Sequence, residues 1–415
     1  MKYIIKTYTQ IDSAIWNLLA AQICLQLINS AFFLILNLYM HKNNYSDASI
    51  ANYMSWRYSA VVFFAVPFGI YIRNRPLLPI MWTTTLLLPF VSFALLWSIE
   101  QHWSLAIVLS TAVWGVVFSL SNIPIVPYIL RNTHISLQSQ AIALSASVWS
   151  ASQIAAGAII AILSYINPIL FSEKHLLQIF CGIGLFALYF LWKMNGKETM
   201  PEKINIDKQS TNQQNYNWKL ITQISLPTLF IAVGAGMAIP FMNLFFYHTF
   251  GIDSAYFSFL GLITSIIVTI SALFAPLLKQ KWGFHAIIWT QLLSIVCMAA
   301  IAGSELIKNW HGAVYIAIIA YILRQPLMHL SNPLATEMGM QYVGSHNREI
   351  TSAITSSIWA GSWFFSSQIF SWLRAANLPY STIFSITVLL YLFAIGVYFL
   401  LVKQFYQRQQ NTATI

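Results

Sequence analysis

The sequence predicts an all-α membrane protein with twelve transmembrane helices in two pseudo-symmetric six-helix bundles. Three observations lead to this prediction: the 415 residues are 58% hydrophobic and 8% charged, the apolar residues form long continuous runs, and the two halves share matching segments. Soluble domains have about a quarter of their residues charged. Outer-membrane barrels show alternating segments of about 10 residues instead of continuous runs. At roughly 20 residues per span plus loops, the chain is long enough for about twelve helices.

The predicted helices 1–12 follow the apolar runs between charged or turn-forming residues. Helices 1–6 are predicted at 13–40, 48–72, 77–98, 103–130, 138–166 and 175–193. Helices 7–12 are predicted at 218–249, 254–278, 284–304, 312–341, 350–373 and 380–403. Residues 195–217 are the only long polar stretch, which predicts a flexible linker. The expected organisation is an N-terminal bundle (1–194), a cytoplasmic linker (195–217), a C-terminal bundle (218–403) and a cytoplasmic tail (404–415).

The distribution of positive charge predicts the topology. With both termini in the cytoplasm, fifteen Lys and Arg residues lie inside, and four lie outside: Lys42, Lys174, Lys308 and Arg374. The positive-inside rule therefore favours two cytoplasmic termini in a cell inner membrane. The net charge of +10 comes from these loops. The sequence has no separate basic domain, so a nucleic-acid partner is not expected.

An internal repeat divides the chain into halves. At an offset of 206 residues, the segment 36–38 and Asp47 match 242–244 and Asp253, and Arg73 and Arg75 match Lys279 and Lys281. At an offset of 210, the segment Leu120-Ser121-Asn122 matches Leu330-Ser331-Asn332, and Trp149 matches Trp359. Several matches in order, with a drift of only four residues, indicate two six-helix halves of parallel orientation.

These features resemble the major facilitator superfamily: two sets of six helices, a central linker, and a positive pair after helices 2 and 8. The signature of that family after helix 2 is present only in part, from Gly69 through Arg73 and Arg75 to Pro76. Its acidic residue and second glycine are missing, so its gating role is not carried over. The resemblance implies a monomeric secondary transporter that works by alternating access. It also implies that helices 1, 4, 7 and 10 line a central cavity.

Helices 1 and 4 carry polar side chains that agree with this expectation. In helix 1, Gln22, Gln26 and Asn29 lie on one stripe because they are spaced four and three residues apart. Such a stripe either lines a cavity or holds neighbouring helices together by hydrogen bonds. In helix 4, Trp114 and Asn122 lie near the predicted mid-depth of the membrane.

Helix 7 contains Gly234, Gly236 and Pro240, which predict a bend or an unwound turn near its centre. Freed backbone groups are tolerated in a membrane only against protein or a water-filled cavity. The glycines therefore provide either a hinge for alternating access or close packing against a neighbouring helix. Asn243 lies beyond the predicted bend and is a further candidate cavity residue.

Two arginines lie inside predicted helices. Arg57 is about 14 Å and Arg324 about 18 Å along the helix from the predicted outer surface, at 1.5 Å per residue. An arginine at the centre of a membrane costs about 2.5 to 3.5 kcal/mol on insertion scales, so such residues usually mark a pathway or a binding site. Arg57 has the alternative of a structural ion pair or a cation-π contact. Arg324 shares a face with Met328 and Ser331, and its repeat partner is Trp114, so it is the leading candidate.

Glu337 is the only carboxylate within a predicted span, and it lies near the inner end of helix 10. We expect it to contact Lys279 or Lys281 at an inner gate, not Arg324, from which about 20 Å of helix separates it. Two arginines without a nearby acid predict an anionic partner, because guanidinium groups match carboxylate or phosphate. His329 is the titratable candidate for proton coupling, with simple packing as its alternative.

The remaining candidates are Asn332, in the repeated segment of helix 10, and Trp359 and Trp363, one turn apart in helix 11. The tryptophans either pack against other helices or stack on a substrate. The candidate substrate-binding residues are therefore Arg324, Arg57, Gln26, Asn29, Gln22, Asn332, Trp114, Asn122, Asn243, Trp359 and Trp363.

The sequence thus predicts a transporter of a small organic anion or zwitterion, with the proton as a candidate coupling ion. One alternative is an exporter of amphipathic or lipophilic compounds, which the Trp, Phe and Met content also suits. A second is a membrane-embedded enzyme, receptor or scaffold. No metal-ligand cluster, nucleophile and base pair or nucleotide-binding loop is recognisable, so neither catalysis nor a cofactor is expected.

Overall fold

The computed structural model describes residues 12–71, 75–194, 216–272, 274–344 and 347–413. Arg73 and residues 195–215 of the predicted linker lie outside these ranges. Within them the chain forms helices and no strand. The helices are named α1 to α12 after the predicted helices, with letters where a predicted helix is divided.

The first half contains α1 to α6. Their bounds are α1 Ser13–Lys42, α2 Asp47–Tyr71, α3 Leu78–Glu100, α4a Ser104–Asn122, α4b Ile125–Asn132, α5 Ile135–Ile166 and α6 Glu173–Trp192. Helix α1 begins where the Asp12 carboxylate accepts a hydrogen bond from the Ala14 backbone N–H at 2.7 Å, which is a typical N-terminal cap. The predicted helix 4 over 103–130 is present as one span, Ser104–Asn132, that is divided into two helical segments. Pro124, which has no N–H, caps the start of α4b and divides the helix.

The second half contains α7 to α12. Their bounds are α7a Trp218–Ala238, a 3₁₀ turn Ile239–Phe241, α7b Met242–Phe250, α8a Ser254–Ala272, α8b Ala275–Trp282, α9 His285–Leu306, α10 Ala313–Val343, α11 Arg348–Ala375 and α12 Tyr380–Ala413. Residues 404–413, predicted as a tail, continue α12 as helix. The predicted helix 8 is divided near Pro276, at the second position of α8b.

The described residues contain ten helical segments that are long and apolar enough to cross a membrane. They are Ser13–Lys42, Leu78–Glu100, Ser104–Asn132, Ser147–Ile166, Glu173–Trp192, Trp218–Phe250, Ser254–Ser271, His285–Leu306, Ala313–Val343 and Tyr380–Arg408. Helices α2 and α11, of 25 and 28 residues, complete the predicted set of twelve. Both exceed the roughly 20 residues needed to span a bilayer. The chain is therefore a multi-pass membrane protein.

The chain forms two compact units. The first comprises Met1–Ser46, Trp56–Gln209 and Ser254–Leu262, and the second comprises Asp47–Ser55, Ser210–Asp253 and Ile263–Ile415. In the first unit α1 packs against α5 and α6, and α3 packs against α4a and α6. In the second unit α7a packs against α11 and α12, while α9 packs against α10 and α12.

The core of the second unit lies where α7a, α9, α10 and α12 meet. Ile231, Ile287, Met338 and Tyr391, one from each of these helices, belong to a single cluster of buried side chains. This cluster surrounds the polar groups of the candidate site.

Candidate functional site

Each unit encloses a polar cavity. The cavity of the second unit has a volume of about 330 Å³ and is lined by Ile224, Thr228, Ile231, Gln291, Asn332, Ala335, Thr336, Gly339, Met340, Thr351, Thr355, Ser356, Trp359 and Tyr398. The cavity of the first unit measures only about 20 Å³ and is lined by Leu18, Ala21, Gln22, Leu25, Gln26, Met81, Thr85, Ser121, Asn122, Ile125 and Leu191.

The two cavities occupy equivalent positions in the repeat. The offset of 206 residues relates Leu18 to Ile224, Gln22 to Thr228, Leu25 to Ile231 and Thr85 to Gln291, and the offset of 210 relates Asn122 to Asn332 and Ile125 to Ala335. Each cavity therefore has an asparagine on the fourth helix of its half. The pair Gln22 and Thr85 of the first cavity corresponds to Thr228 and Gln291 of the second, so a glutamine and a threonine are exchanged between the first and third helices. The two halves therefore have a cavity at the same position, lined by different side chains.

Side-chain hydrogen bonds, one of them between two helices, occupy the region of the first cavity. Gln26 donates from Nε2 to Oδ1 of Asn122 at 2.9 Å, which joins α1 to α4a. Asn122 donates in turn to the Phe118 backbone carbonyl at 2.7 Å, and Asn29 donates to Oε1 of Gln26 at 3.2 Å. Oε1 of Gln22 is buried without a partner among the residues that the structure describes. The polar stripe of α1 thus forms the interhelical hydrogen bonds that were one of its two predicted roles.

Arg57 belongs to the same network. The half-buried guanidinium donates to Oδ1 of Asn29, and its Cζ lies 4.1 Å from the centre of the Trp114 ring. Trp114 is 1% exposed, donates from Nε1 to Oγ of Ser92 at 2.9 Å, and stacks on Phe32. An amide and an aromatic face therefore hold the Arg57 charge. Among the described residues of this unit, no carboxylate pairs with it.

The second cavity lacks the bond that closes the first. The position equivalent to Gln26 is Ala232, whose methyl group cannot reach Asn332. The side-chain amide of Asn332 is exposed and makes no hydrogen bond to any described residue. The bond that Gln26 makes to Asn122 in the first half therefore has no counterpart between Ala232 and Asn332.

Gln291 is a site residue that the sequence prediction missed. It lies on α9, is 3% exposed, and donates from Nε2 to Oγ of Ser331 at 3.3 Å. The Ser331 hydroxyl itself donates to the Met328 carbonyl at 2.8 Å, so Ser331 can only accept from Gln291. In this arrangement Oε1 of Gln291 is buried without a partner among the described residues. The self-comparison at an offset of 206 would have paired this glutamine with Thr85.

Arg324 lies in the interior of the second unit and is 1% exposed. Its Nη2 donates to the Tyr391 hydroxyl of α12 at 2.9 Å, and its backbone carbonyl accepts a hydrogen bond from Ser294 of α9 at 3.5 Å. Nε and Nη1 have no hydrogen-bond partner among the described residues. No carboxylate of the described residues pairs with this guanidinium.

The structure separates Arg324 from the wall of the 330 Å³ cavity. The arginine side chain extends toward α9 and α12, where it replaces the core tryptophan of the first half, Trp114. It precedes Asn332 by eight residues, which is about 12 Å along a helix. Ser331, predicted on the same face, connects the two regions through its contact with Gln291.

Helix α7 is interrupted where the sequence predicts a bend. The α-helix ends at Ala238, and Pro240 lies within the 3₁₀ turn that follows. A Cβ atom added to Gly234 would lie 2.7 Å from the Tyr391 ring, and one added to Gly236 would lie 2.8 Å from Cβ of Ser366. The glycines thus allow close packing of α7a against α11 and α12, one of their two predicted roles.

The other candidates are dispersed. Glu337 forms an ion pair with Lys279, one of the two lysines expected to contact it, whereas Lys281 is exposed. Arg75 is exposed, and its carbonyl accepts a hydrogen bond from Arg131 at 2.8 Å. His329 is half-buried and makes no hydrogen bond to a described residue. Asn243 is 2% exposed, and its Oδ1 accepts from the Leu244 N–H at 2.8 Å. Trp359 lines the second cavity, and Trp363 does not.

Comparison with known proteins identifies the family. The family model described as Major Facilitator Superfamily matches residues 18–367. A comparison with curated protein sequences gives no match.

Solved transporter structures share the fold at low sequence identity. The POT family transporter PepTSo aligns with a TM-score of 0.73 at 11% identity, over 95% of this chain and 98% of its own. A bacterial homologue of the human lysosomal transporter Spinster gives 0.70 at 12% identity, over 95% and 97%. A D-xylose-proton symporter gives 0.65 at 14% identity, over 94% and 97%. The chain belongs to the major facilitator superfamily of membrane transporters.

Proposed function

We propose that this protein is a secondary active transporter that carries a small organic anion or zwitterion across the cell inner membrane by alternating access. The observation that carries the proposal is Arg324, a buried guanidinium whose Nε and Nη1 have no partner among the described residues. The positive charge of Arg57, held only by neutral groups, adds to it.

The energetic argument concerns unsatisfied donors. A buried hydrogen-bonding group without a partner costs about 1 to 3 kcal/mol, and more when it is charged. Guanidinium groups carry five N–H donors in a planar fork that fits a carboxylate or phosphate. An anion at Arg324 would satisfy these donors and neutralise the charge. Because Arg324 is 1% exposed, the anion would reach it only when the helices of this unit rearrange, as alternating access requires.

The other candidates have supporting roles in this proposal. The break of α7 at Pro240 is the hinge, and the Lys279–Glu337 ion pair belongs to an inner gate. His329, in the same helix as Arg324, is the candidate proton carrier. The D-xylose-proton symporter that shares this fold couples transport to protons, according to its description. Both termini face the cytoplasm in this proposal, and the protein acts as a monomer.

A thermal-shift comparison on purified protein tests the charge of the substrate. The probes are benzoate, succinate and glutamate, with tetraphenylphosphonium as an amphipathic cation. We expect at least one anion to raise the melting temperature of the wild type, since a ligand that binds only the folded state stabilises it. Arg324→Gln should lose this response, and Lys308→Gln, which removes an exposed positive charge, should retain it.

Two results would contradict the proposal. One is stabilisation by tetraphenylphosphonium alone, which would favour the export of amphipathic compounds. The other is an anion response of the same size in Arg324→Gln and in the wild type.

A further inference from the structure

The 330 Å³ cavity of the second unit has the size and composition of a small-molecule site. Ligand pockets measure about 300 to 1,000 Å³ and combine apolar walls with a few polar groups. None of the lining residues is charged. The exposed side chains of Asn332, Thr336 and Ser356 show that the cavity is accessible. Its lining therefore suits a neutral group.

The hydrogen-bonding capacity of the lining is specific. Nε2 of Gln291 contacts Ser331, whose hydroxyl donates to Met328, so Oε1 is the acceptor left without a partner among the described residues. A group that satisfies this oxygen must therefore bring an N–H or O–H donor. Asn332 adds a free amide, which can both donate and accept.

The shape of the lining is also informative. Trp359 offers a large planar surface on α11, while Ile224 and Ile231 form an apolar wall on α7a. Aromatic rings stack on planar groups in an offset arrangement. A planar ligand group would contact Trp359 through its face and the two amides through its edge.

We propose that this cavity binds a neutral planar group of the substrate that carries N–H donors, such as a carboxamide or a heterocyclic N–H. Oε1 of Gln291 accepts a hydrogen bond from this group, Asn332 binds its acceptor, and Trp359 stacks on its face. The inference deepens the proposed transport function and rests on it, because it describes the uncharged part of the same substrate. Gln291 then distinguishes substrates by their donors, and Arg324 distinguishes them by their charge.

The test compares two probes of the same amide class, one with N–H donors and one with methyl groups in their place. Benzamide has an N–H₂ group, and N,N-dimethylbenzamide has none. Binding to the purified full-length protein is measured by isothermal titration calorimetry. We expect benzamide to bind at least tenfold more tightly. In Gln291→Met, the affinity for benzamide should fall to the affinity for N,N-dimethylbenzamide. The control Gln280→Met, at an exposed glutamine, should still bind benzamide more tightly than the dimethyl compound.

A second variant tests the cavity itself. Ala232→Gln places in the second half the glutamine that closes the first cavity, so its side chain should bind Asn332 and exclude both probes. Equal affinity of the wild type for the two probes, or an unchanged preference in Gln291→Met, would overturn the inference. Retention of benzamide binding in Ala232→Gln would also overturn it.

The results of this titration can be distinguished from those of the thermal-shift test of an anionic substrate. If the benzamide preference is absent but the anion response depends on Arg324, only the inference about the cavity fails. If the preference is present but the anion response does not depend on Arg324, the proposed anionic substrate fails.

Discussion

Each half of this transporter has a cavity at the equivalent position of the repeat, and the two cavities differ in volume and in the side chains that line them. In the first half, Gln26 binds Asn122 and leaves about 20 Å³. In the second half, Ala232 replaces the glutamine, the Asn332 side chain has no hydrogen-bond partner among the described residues, and the cavity measures about 330 Å³. In our proposal the duplicated bundle uses one copy for structure and the other for binding. The scaffold is shared, and a few side chains determine which role each copy has.

The same contrast appears deeper in each bundle. Trp114 fills its place in the first half, where it stacks on Phe32 and donates to Ser92. Among the described residues, its repeat partner Arg324 has one side-chain hydrogen bond, to Tyr391, and two guanidinium nitrogens without partners. A residue that serves packing alone should satisfy its polar groups, as Trp114 does. Arg324 does not, which is typical of residues selected for function at a cost in stability.

The largest expected effect is on the free energy of unfolding, and it tests the contrast between Trp114 and Arg324. Trp114→Ala should lower the free energy of unfolding by about 3 to 5 kcal/mol, because it removes a large buried side chain. Arg324→Met should leave it unchanged or raise it, since replacing a poorly compensated buried charge by an apolar side chain of similar size is often neutral or stabilising. Unfolding of the purified variants in a denaturing detergent, followed by circular dichroism, measures both.

A larger loss of stability in Arg324→Met than in Trp114→Ala would contradict the contrast between these two residues. If Arg324→Met were as destabilising as Trp114→Ala, Arg324 would be a packing residue like its repeat partner. The unpartnered nitrogens would then have no functional meaning.

Much of the fold could be predicted from the sequence, because apolar runs and prolines act locally. All twelve predicted helices are present, and the interruption of α7 at Pro240 follows from the missing N–H of proline. The break at Pro124 was missed, although the same reasoning applies to it. The contact of Glu337 with Lys279 could be anticipated because few acids were available to either lysine.

The candidate site was harder to predict, because side-chain direction depends on packing. Helical periodicity placed Arg324 and Ser331 on one face, but it could not show that Arg324 extends toward Tyr391 on α12. Gln291 was missed because a single glutamine in an apolar helix gives little signal by itself. It becomes informative only beside Thr85, once the structure shows that both positions line a cavity.

A smaller effect is expected at the glycines of α7a. Gly234→Ala should destabilise the protein by about 1 to 3 kcal/mol, since its Cβ would lie 2.7 Å from the Tyr391 ring. It should also weaken any anion response, because Tyr391 is the side-chain partner of Arg324. Gly361→Ala is the matched control: no atom lies within 4 Å of its added Cβ, so alanine should stabilise the helix by about 0.5 to 1 kcal/mol.

Melting curves of the two alanine variants, with and without the stabilising anion, measure these effects. Equal stability of Gly234→Ala and Gly361→Ala would show that α7a has room to move away from α12. The close packing described for Gly234 would then be unimportant.

The smallest effect is expected at the Lys279–Glu337 ion pair. Its side chains are 37% and 41% exposed, and pairs of this kind contribute about 0 to 1 kcal/mol. Glu337→Gln should therefore change the melting temperature little. If the pair belongs to a gate, the variant should still alter the rate of substrate uptake by vesicles that contain the purified protein. Unchanged uptake would reduce the pair to a structural contact.

The most direct test of the proposed function is uptake by vesicles that contain the purified protein. Radiolabelled benzoate, succinate and glutamate are offered to vesicles with wild type, Arg324→Lys or Arg324→Met, each first shown to be folded. We predict that the wild type accumulates at least one of these anions. Uptake should fall at least tenfold in Arg324→Lys, which keeps the charge and loses the fork geometry, and to background in Arg324→Met. Undiminished uptake in Arg324→Met would contradict the account.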